Sequence, residues 1–188
     1  MLNRKLSIGL MIFIGASLAC SLGFGGQSNQ VQPPEGIIPV SEESSERLID
    51  NFNQALQETT VSNESQLRVT NEEATSLVAT ELAKNGQFPL KNPQVWFTSG
   101  RIYISGGVDA FGLTNESIIV ATPIVDNGRL LVEVQEAKMG PFDFPEQILE
   151  SLTQTVNETL AGILIDLEIV RLEILEGEMI VVGTRRSS

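Results

Sequence analysis

Side-chain chemistry calls for a nucleophile, a base, a metal-ligand set or a phosphate-binding loop, and the sequence supplies few of these. It holds one cysteine, Cys20, and no histidine. The commonest general base and metal ligand is therefore missing. Carboxylates are plentiful, and Asp166, Glu168, Glu173, Glu176 and Glu178 gather near the end of the chain. They interleave with Leu167, Ile169, Ile174 and Met179, the alternation of solvated strand faces rather than of an acid–base pair. Asp126-Asn127 resembles the opening of a calcium loop. Arg129-Leu130-Leu131 follows at once, so the later oxygen ligands are absent and a turn is expected. The glycines at 23–26 have no phosphate-binding lysine beside them, and they read as flexible chain. No catalytic set, cofactor or metal site is expected, and the chain does not read as an enzyme.

The remaining reactive group is the Cys20 thiol, and its surroundings are specific. Arg4 and Lys5 form a short basic start, and residues 6–19 are an apolar or small-residue run ending in Ser17-Leu18-Ala19-Cys20. That is the layout of a secretory signal peptide over 1–19. The run is shorter than the roughly 20 apolar residues a spanning helix needs. The four residues resemble the site at which bacterial lipoproteins are cut and acylated, with the leucine one place late. Cys20 is thus the expected lipid-attachment site (palmitate-type acyl chains), with export to the extracytoplasmic side of the cell envelope. With no second cysteine, no disulfide can form within the chain.

Net charge is −12, with 24 acidic and 12 basic residues. Such a surface argues against nucleic acid and against docking on anionic headgroups. Membrane contact would come from the anchor, since two or three acyl chains hold stably. Hydrophobic residues at 41% and charged residues at 19% allow a real core.

Several elements are legible behind a Gly/Gln/Pro-rich linker at 20–40. Residues 41–64 form a helix and connector, with Leu48, Ile49, Phe52 and Leu56 as a narrow apolar stripe at the domain edge. The folded domain is expected over 65–184, with a tail at 185–188. It opens with a short strand and with Thr70 and Glu73 as a capping box for a helix closing at Asn85-Gly86. Residues 93–139 then alternate as four strands, turning at Ser99-Gly100, at 112–116 and at Asp126-Asn127-Gly128. Gly106-Gly107 inside a strand predicts a bulge or bend. Asp143 is the expected N-cap of a long amphipathic helix carrying Leu152, Val156 and Leu160, with Pro145 in its first turn. Phe142 and Phe144 are expected to staple that helix start, the alternative being that they line the mouth of a groove. Two strands turning at Glu176-Gly177 close the domain. Trp96, Phe97 and Tyr103 read as an aromatic ligand wall or as ordinary core.

The order of LRVTNEEATSLVATEL, RIYISGGVDAFG, the Asp126-Asn127-Gly128 turn, Gly140 to Pro145 and the closing EGEMIVVG resembles the LmeA-like and YceB-like envelope proteins over about residues 67–182. Their fold is related to one half of tubular lipid-binding (TULIP-like) modules. The resemblance implies an α+β fold in which a curved antiparallel sheet wraps a long helix, with a second shorter helix. It also implies a lipid or other apolar ligand between sheet and helix. Residues facing that space would be Phe97, Ile102, Ile104, Val120, Val132, Leu152 and Val156. The alternative is a tethered protein-interaction module of an envelope assembly, with a solid core and an unknown protein partner.

Overall fold

A computed structural model describes residues 34–61, 64–85, 90–110, 113–163 and 167–186. The signal segment, Cys20, most of the linker and Asp166 lie outside the described residues. These residues form an α+β fold of three helices and eight strands. The elements are α1 (Glu42–Val61), β1 (Glu64–Thr70), α2 (Asn71–Asn85), β2 (Leu90–Thr98), β3 (Arg101–Ala110), β4 (Leu113–Asp126), β5 (Arg129–Met139), β6 (Phe142–Asp143), α3 (Glu146–Ile163), β7 (Leu167–Leu175) and β8 (Glu178–Arg185). None of these helices is long and apolar enough to cross a membrane.

The strands are antiparallel, as the alternation and turns predict, but they make two sheets rather than one. Strands β2 to β6 form a meander in chain order, and β1, β8 and β7 form a separate three-stranded sheet. The division is non-local. Strand β1 pairs with β8, with Leu67 opposite Val181 and Val69 opposite Met179. Neither sheet is closed.

The hairpins follow local rules. Ser99 and Gly100 have φ of 52° and 75°, and Asn127 and Gly128 have 49° and 72°. Two consecutive positive values make the tight turn whose twist suits flanking strands. Gly106 proves to be the partner of a bulge rather than its seat. The register slips in β2 between Lys91 and Gln94, across from Gly106, with Asn92 at φ 48°. A Cβ on Gly106 would lie 2.8 Å from the Lys91 carbonyl oxygen, so glycine lets the slipped strand come close. A second slip leaves Gln135 without a partner opposite Val120 and Ala121.

Both long edges of the five-stranded sheet are covered by helices, through side chains. On α2, Asn71 Oδ1 accepts from the Phe97 N–H at 2.8 Å. One turn later, Thr75 Oγ1 accepts from Val95 N–H at 2.9 Å and donates to Val95 O. On α3, Thr153 Oγ1 accepts from Val134 N–H at 2.9 Å. One turn on, Asn157 accepts from Val132 N–H at 2.7 Å and donates to its carbonyl. Asparagine and threonine at i, i+4 spacing thus complete the backbone of alternate strand residues, which period-2 pleating points the same way. The last residues of β5 are paired instead with β6, Lys138 opposite Asp143 and Met139 opposite Phe142. That pairing takes Asp143 out of the expected N-cap position. The Pro145 carbonyl accepts the first helical amides, from Ile148 and Leu149. Phe142 is exposed rather than stapled.

Helix α1 starts as predicted, with Ser41 Oγ accepting from Ser44 N–H. Its packing differs from a narrow apolar stripe. Ser44 and Ser45 are buried along with Leu48 and Ala55, and Ile49 is 41% exposed. Small side chains let α1 approach α2 closely, and the Ser44 hydroxyl is hydrogen-bonded there. Ser44 donates to Glu72 at 2.5 Å, and Arg47 Nε donates to Glu73 at 3.1 Å. Ahead of the helix, Ile38 is held by the Gln94 amide through both its N–H and its carbonyl.

The capping box forms as expected: Glu73 accepts from Thr70 N–H at 3.0 Å, and Thr70 Oγ1 accepts from Glu73 N–H at 3.3 Å. Burial would raise the Glu73 carboxyl. Hydrogen bonds from Thr70 and the Arg47 guanidinium outweigh it and hold the group below its ordinary value. A depressed folded value adds stability that is present above the unfolded pKa of about 4.3 and lost as pH falls through the folded one. Glu73→Gln is therefore expected to lower stability at pH 7 by about 1–2 kcal/mol. The deficit should shrink as pH falls through the lowered folded value, where the parent carboxyl becomes protonated as well; urea titrations at pH 7 and through the acid range check both parts. Thr75→Val, nearly isosteric, leaves the buried Val95 amide and carbonyl without partners. It should cost about 1–3 kcal/mol and shift the urea midpoint at unchanged slope.

Candidate functional site

Directly opposed residues in antiparallel strands share a face, so the register divides the meander. Val95 and Phe97 lie opposite Ile104 and Ile102. These lie opposite Ile119 and Ala121, and Ala121 and Pro123 lie opposite Val134 and Val132. This face turns toward β8 and α3. A cavity of about 240 Å³ lies there, lined by Ile102, Ile104, Ile119, Ala121, Pro123, Leu130, Val132, Val134, Leu152, Val156, Leu160 and Met179. Every lining side chain is apolar. A space of this kind can accept a methylene chain, and it offers no group for directing a polar one.

Five of the residues predicted to face a ligand, Ile102, Ile104, Val132, Leu152 and Val156, are brought together around this cavity. Phe97 is on the same sheet face but packs beyond it, in a core cluster with Leu48, Val69, Ala74 and Val95. Val120 is turned away. It lies opposite Tyr103 and Glu136, on the other face, and is fully buried. Trp96 is directly opposite Tyr103 on that face, so the aromatic group is split and does not wall the cavity. Neither Phe142 nor Phe144 lines it.

Sequence reading did not select Ile119, Ala121, Pro123, Leu130, Val134, Leu160 and Met179. Period-2 alternation along β4 and β5 carries a signal for the strand members, once one residue of each face is known. Met179 carries none, since it reaches the cavity from the second sheet.

A second cleft of about 440 Å³ adjoins the first; both are partly open to solvent, and Leu130 and Leu160 belong to both walls. Its rim is mixed: Gly128 and Arg129 from the β4–β5 turn, Gln154, Asn157 and Glu158 from α3, and Arg186 after β8. Arg186 Nη2 donates to the Leu167 carbonyl at 3.0 Å, and Gln154 Nε2 donates to Glu158 at 2.8 Å.

Three of the late carboxylates have structural partners. Glu176 accepts from Thr98 Oγ1 and Ser99 N–H, bonds that hold its carboxyl below the ordinary range. Glu178 pairs with Arg68, and Glu173 lies 3.5 Å from Arg171. Among the described residues, no group of three or more Asp, Glu, Cys or His side chains is placed to hold a metal ion. Compared with protein-family models, curated proteins and solved structures, the chain finds no match.

The cavity makes a prediction whose sign is informative. Ala121 is buried in its wall, and Ala121→Leu adds carbons toward open space. In a solid core this change costs about 1–3 kcal/mol. Here the variant is expected to match the parent in stability or exceed it, as read by thermal and urea unfolding.

Proposed function

We propose that this chain is a membrane-tethered protein of the cell envelope, exported and acylated at Cys20, that binds a lipid or another apolar ligand between its sheet and α3. It acts by holding the ligand and not by chemistry upon it. The observation that carries the reading is the cavity: about 240 Å³ with only apolar side chains around it. It exceeds the roughly 150 Å³ apolar cavity that is known to take up benzene. Helix α3 supplies Leu152, Val156 and Leu160 to one wall while Thr153 and Asn157 bind the edge of β5. In this reading the five-stranded sheet curves about α3, in the manner of the LmeA-like and YceB-like proteins that the sequence resembles. The acidic surface leaves the acyl anchor to bring the domain to its ligand's source.

The edges of the meander weigh against the alternative of a protein-docking module. A partner adding a strand needs free backbone groups, and at Val95, Phe97, Val132 and Val134 these groups are already occupied. Native mass spectrometry of the full chain, released gently from detergent, tests the proposal. Parent protein is expected to carry co-purified lipid-sized mass, and Ala121→Leu to carry less. Protein with no bound mass would favour the docking module. Cys20→Ser is expected to move the protein from the membrane fraction to the soluble fraction; unchanged membrane attachment would reject the acyl anchor.

A further inference from the structure

The cavity has a direction and two unlike ends. On β5 it is lined in turn by Val134, Val132 and Leu130, and that stretch of strand spans about 13 Å. On α3 it is lined by Leu152, Val156 and Leu160, a stretch of helix about 12 Å long. Bonds from Val134 to Thr153 and from Val132 to Asn157 hold the two walls in step. One end opens on the cleft, since Leu130 and Leu160 belong to both. The other end is stopped: Ile104, in the wall, packs against the core cluster of Val95 and Phe97.

Length and volume set the same occupant. At about 1.2 Å per bond of extended chain, a lane of about 12 Å takes about ten carbons. A cavity of roughly 150 Å³ takes up benzene with its six carbons, and in proportion the 240 Å³ here takes about ten. Agreement between the two means that the lane is one chain wide. The open end does not select by charge. Arg129, Arg186 and Glu158 stand on the cleft rim, and Glu168 packs on Gly128 of the same rim. Every side chain lining the cavity is apolar, so a head group stays in the cleft, where both signs of charge meet it.

We infer that the ligand is a single unbranched chain of medium length, with about ten carbons inside the cavity, recognised by its tail and not by its head. The inference rests on the proposal that the cavity takes an apolar ligand. A two-chain membrane lipid does not fit this site. Its second tail has no lane, and leaving the bilayer would expose that tail to water.

The test is native mass spectrometry of the full chain with the alkanoates from hexanoate to hexadecanoate. Affinity is expected to rise about four-fold with each added carbon, up to about ten, and then to level off as further carbons lie in the wet cleft. Decanoate, 1-decanol and decyltrimethylammonium should bind within about ten-fold of one another. Ala121 lies opposite Ile102 and Val134, toward the stopped end. Ala121→Leu should therefore move the break to a chain about three carbons shorter, and its thermal unfolding shows that it is folded. Vesicles of dimyristoylphosphatidylcholine should load no lipid into the parent. Affinity that still climbs from decanoate to hexadecanoate overturns the medium-chain site and spares the apolar-ligand reading. A break that Ala121→Leu leaves in place, a larger head-group difference, or uptake from the vesicles does the same. Binding of no probe to the parent overturns both.

Discussion

A five-stranded antiparallel sheet has two edges, and each presents amides and carbonyls that need partners wherever water is excluded. How this chain meets that need governs the rest of its structure. Each long edge is faced by a helix, and each helix meets it with asparagine and threonine one turn apart: Asn71 and Thr75 on β2, Thr153 and Asn157 on β5. The side chains stand in for a sixth strand. Because they are short, the helices sit beside the sheet at a distance that hydrogen bonding sets, and that distance holds α3 over the apolar face.

The two sheets are joined by a related device. The Asn71 N–H donates to the Gly177 carbonyl, the Gly177 N–H donates to the Phe97 carbonyl, and the Phe97 N–H donates to Asn71 Oδ1. Three segments far apart in sequence close one ring of hydrogen bonds at the end of β2. Glu176, next to the glycine, adds bonds to Thr98 and Ser99. The closing hairpin is thereby placed so that Met179 reaches the cavity. At the opposite corner, the Ile169 N–H donates to the Gly128 carbonyl, which brings β7 to the β4–β5 turn and forms one side of the cleft. Packing is divided accordingly. Phe97, Val95 and Leu48 fill the space near the ring, while the far part of the same sheet face is left open under α3.

Much of this could be read locally. The Thr70–Glu73 box, the turns at Ser99-Gly100 and Asp126-Asn127-Gly128, and the change from helical to alternating period each depend on a few neighbouring residues. Asp143 misled because Asp-Phe-Pro-Glu is a good helix start in isolation; pairing with Lys138 and Met139 adds a strand that the local signal omits. The apolar stripe of α1 misled because serine is scored as polar. Ser44 and Ser45 are nevertheless buried, Ser44 with Glu72 and Arg47 as partners. Five of the seven residues expected to face a ligand do line the cavity. Val120 differs because alternation tells that a face exists, while only the register tells which one a residue joins.

By itself the sequence determined the element types, the turn conformations, the antiparallel character and the absence of histidine and of a second thiol, because each follows from composition or from short-range sterics and hydrogen bonding. Tertiary structure decided that there are two sheets, that helices finish the edges of one, and that an apolar cavity lies between one sheet face, α3 and Met179. Those outcomes depend on pairings such as Leu67 with Val181 and Asn157 with Val132. Their cost in chain entropy is recovered only when the whole assembly closes.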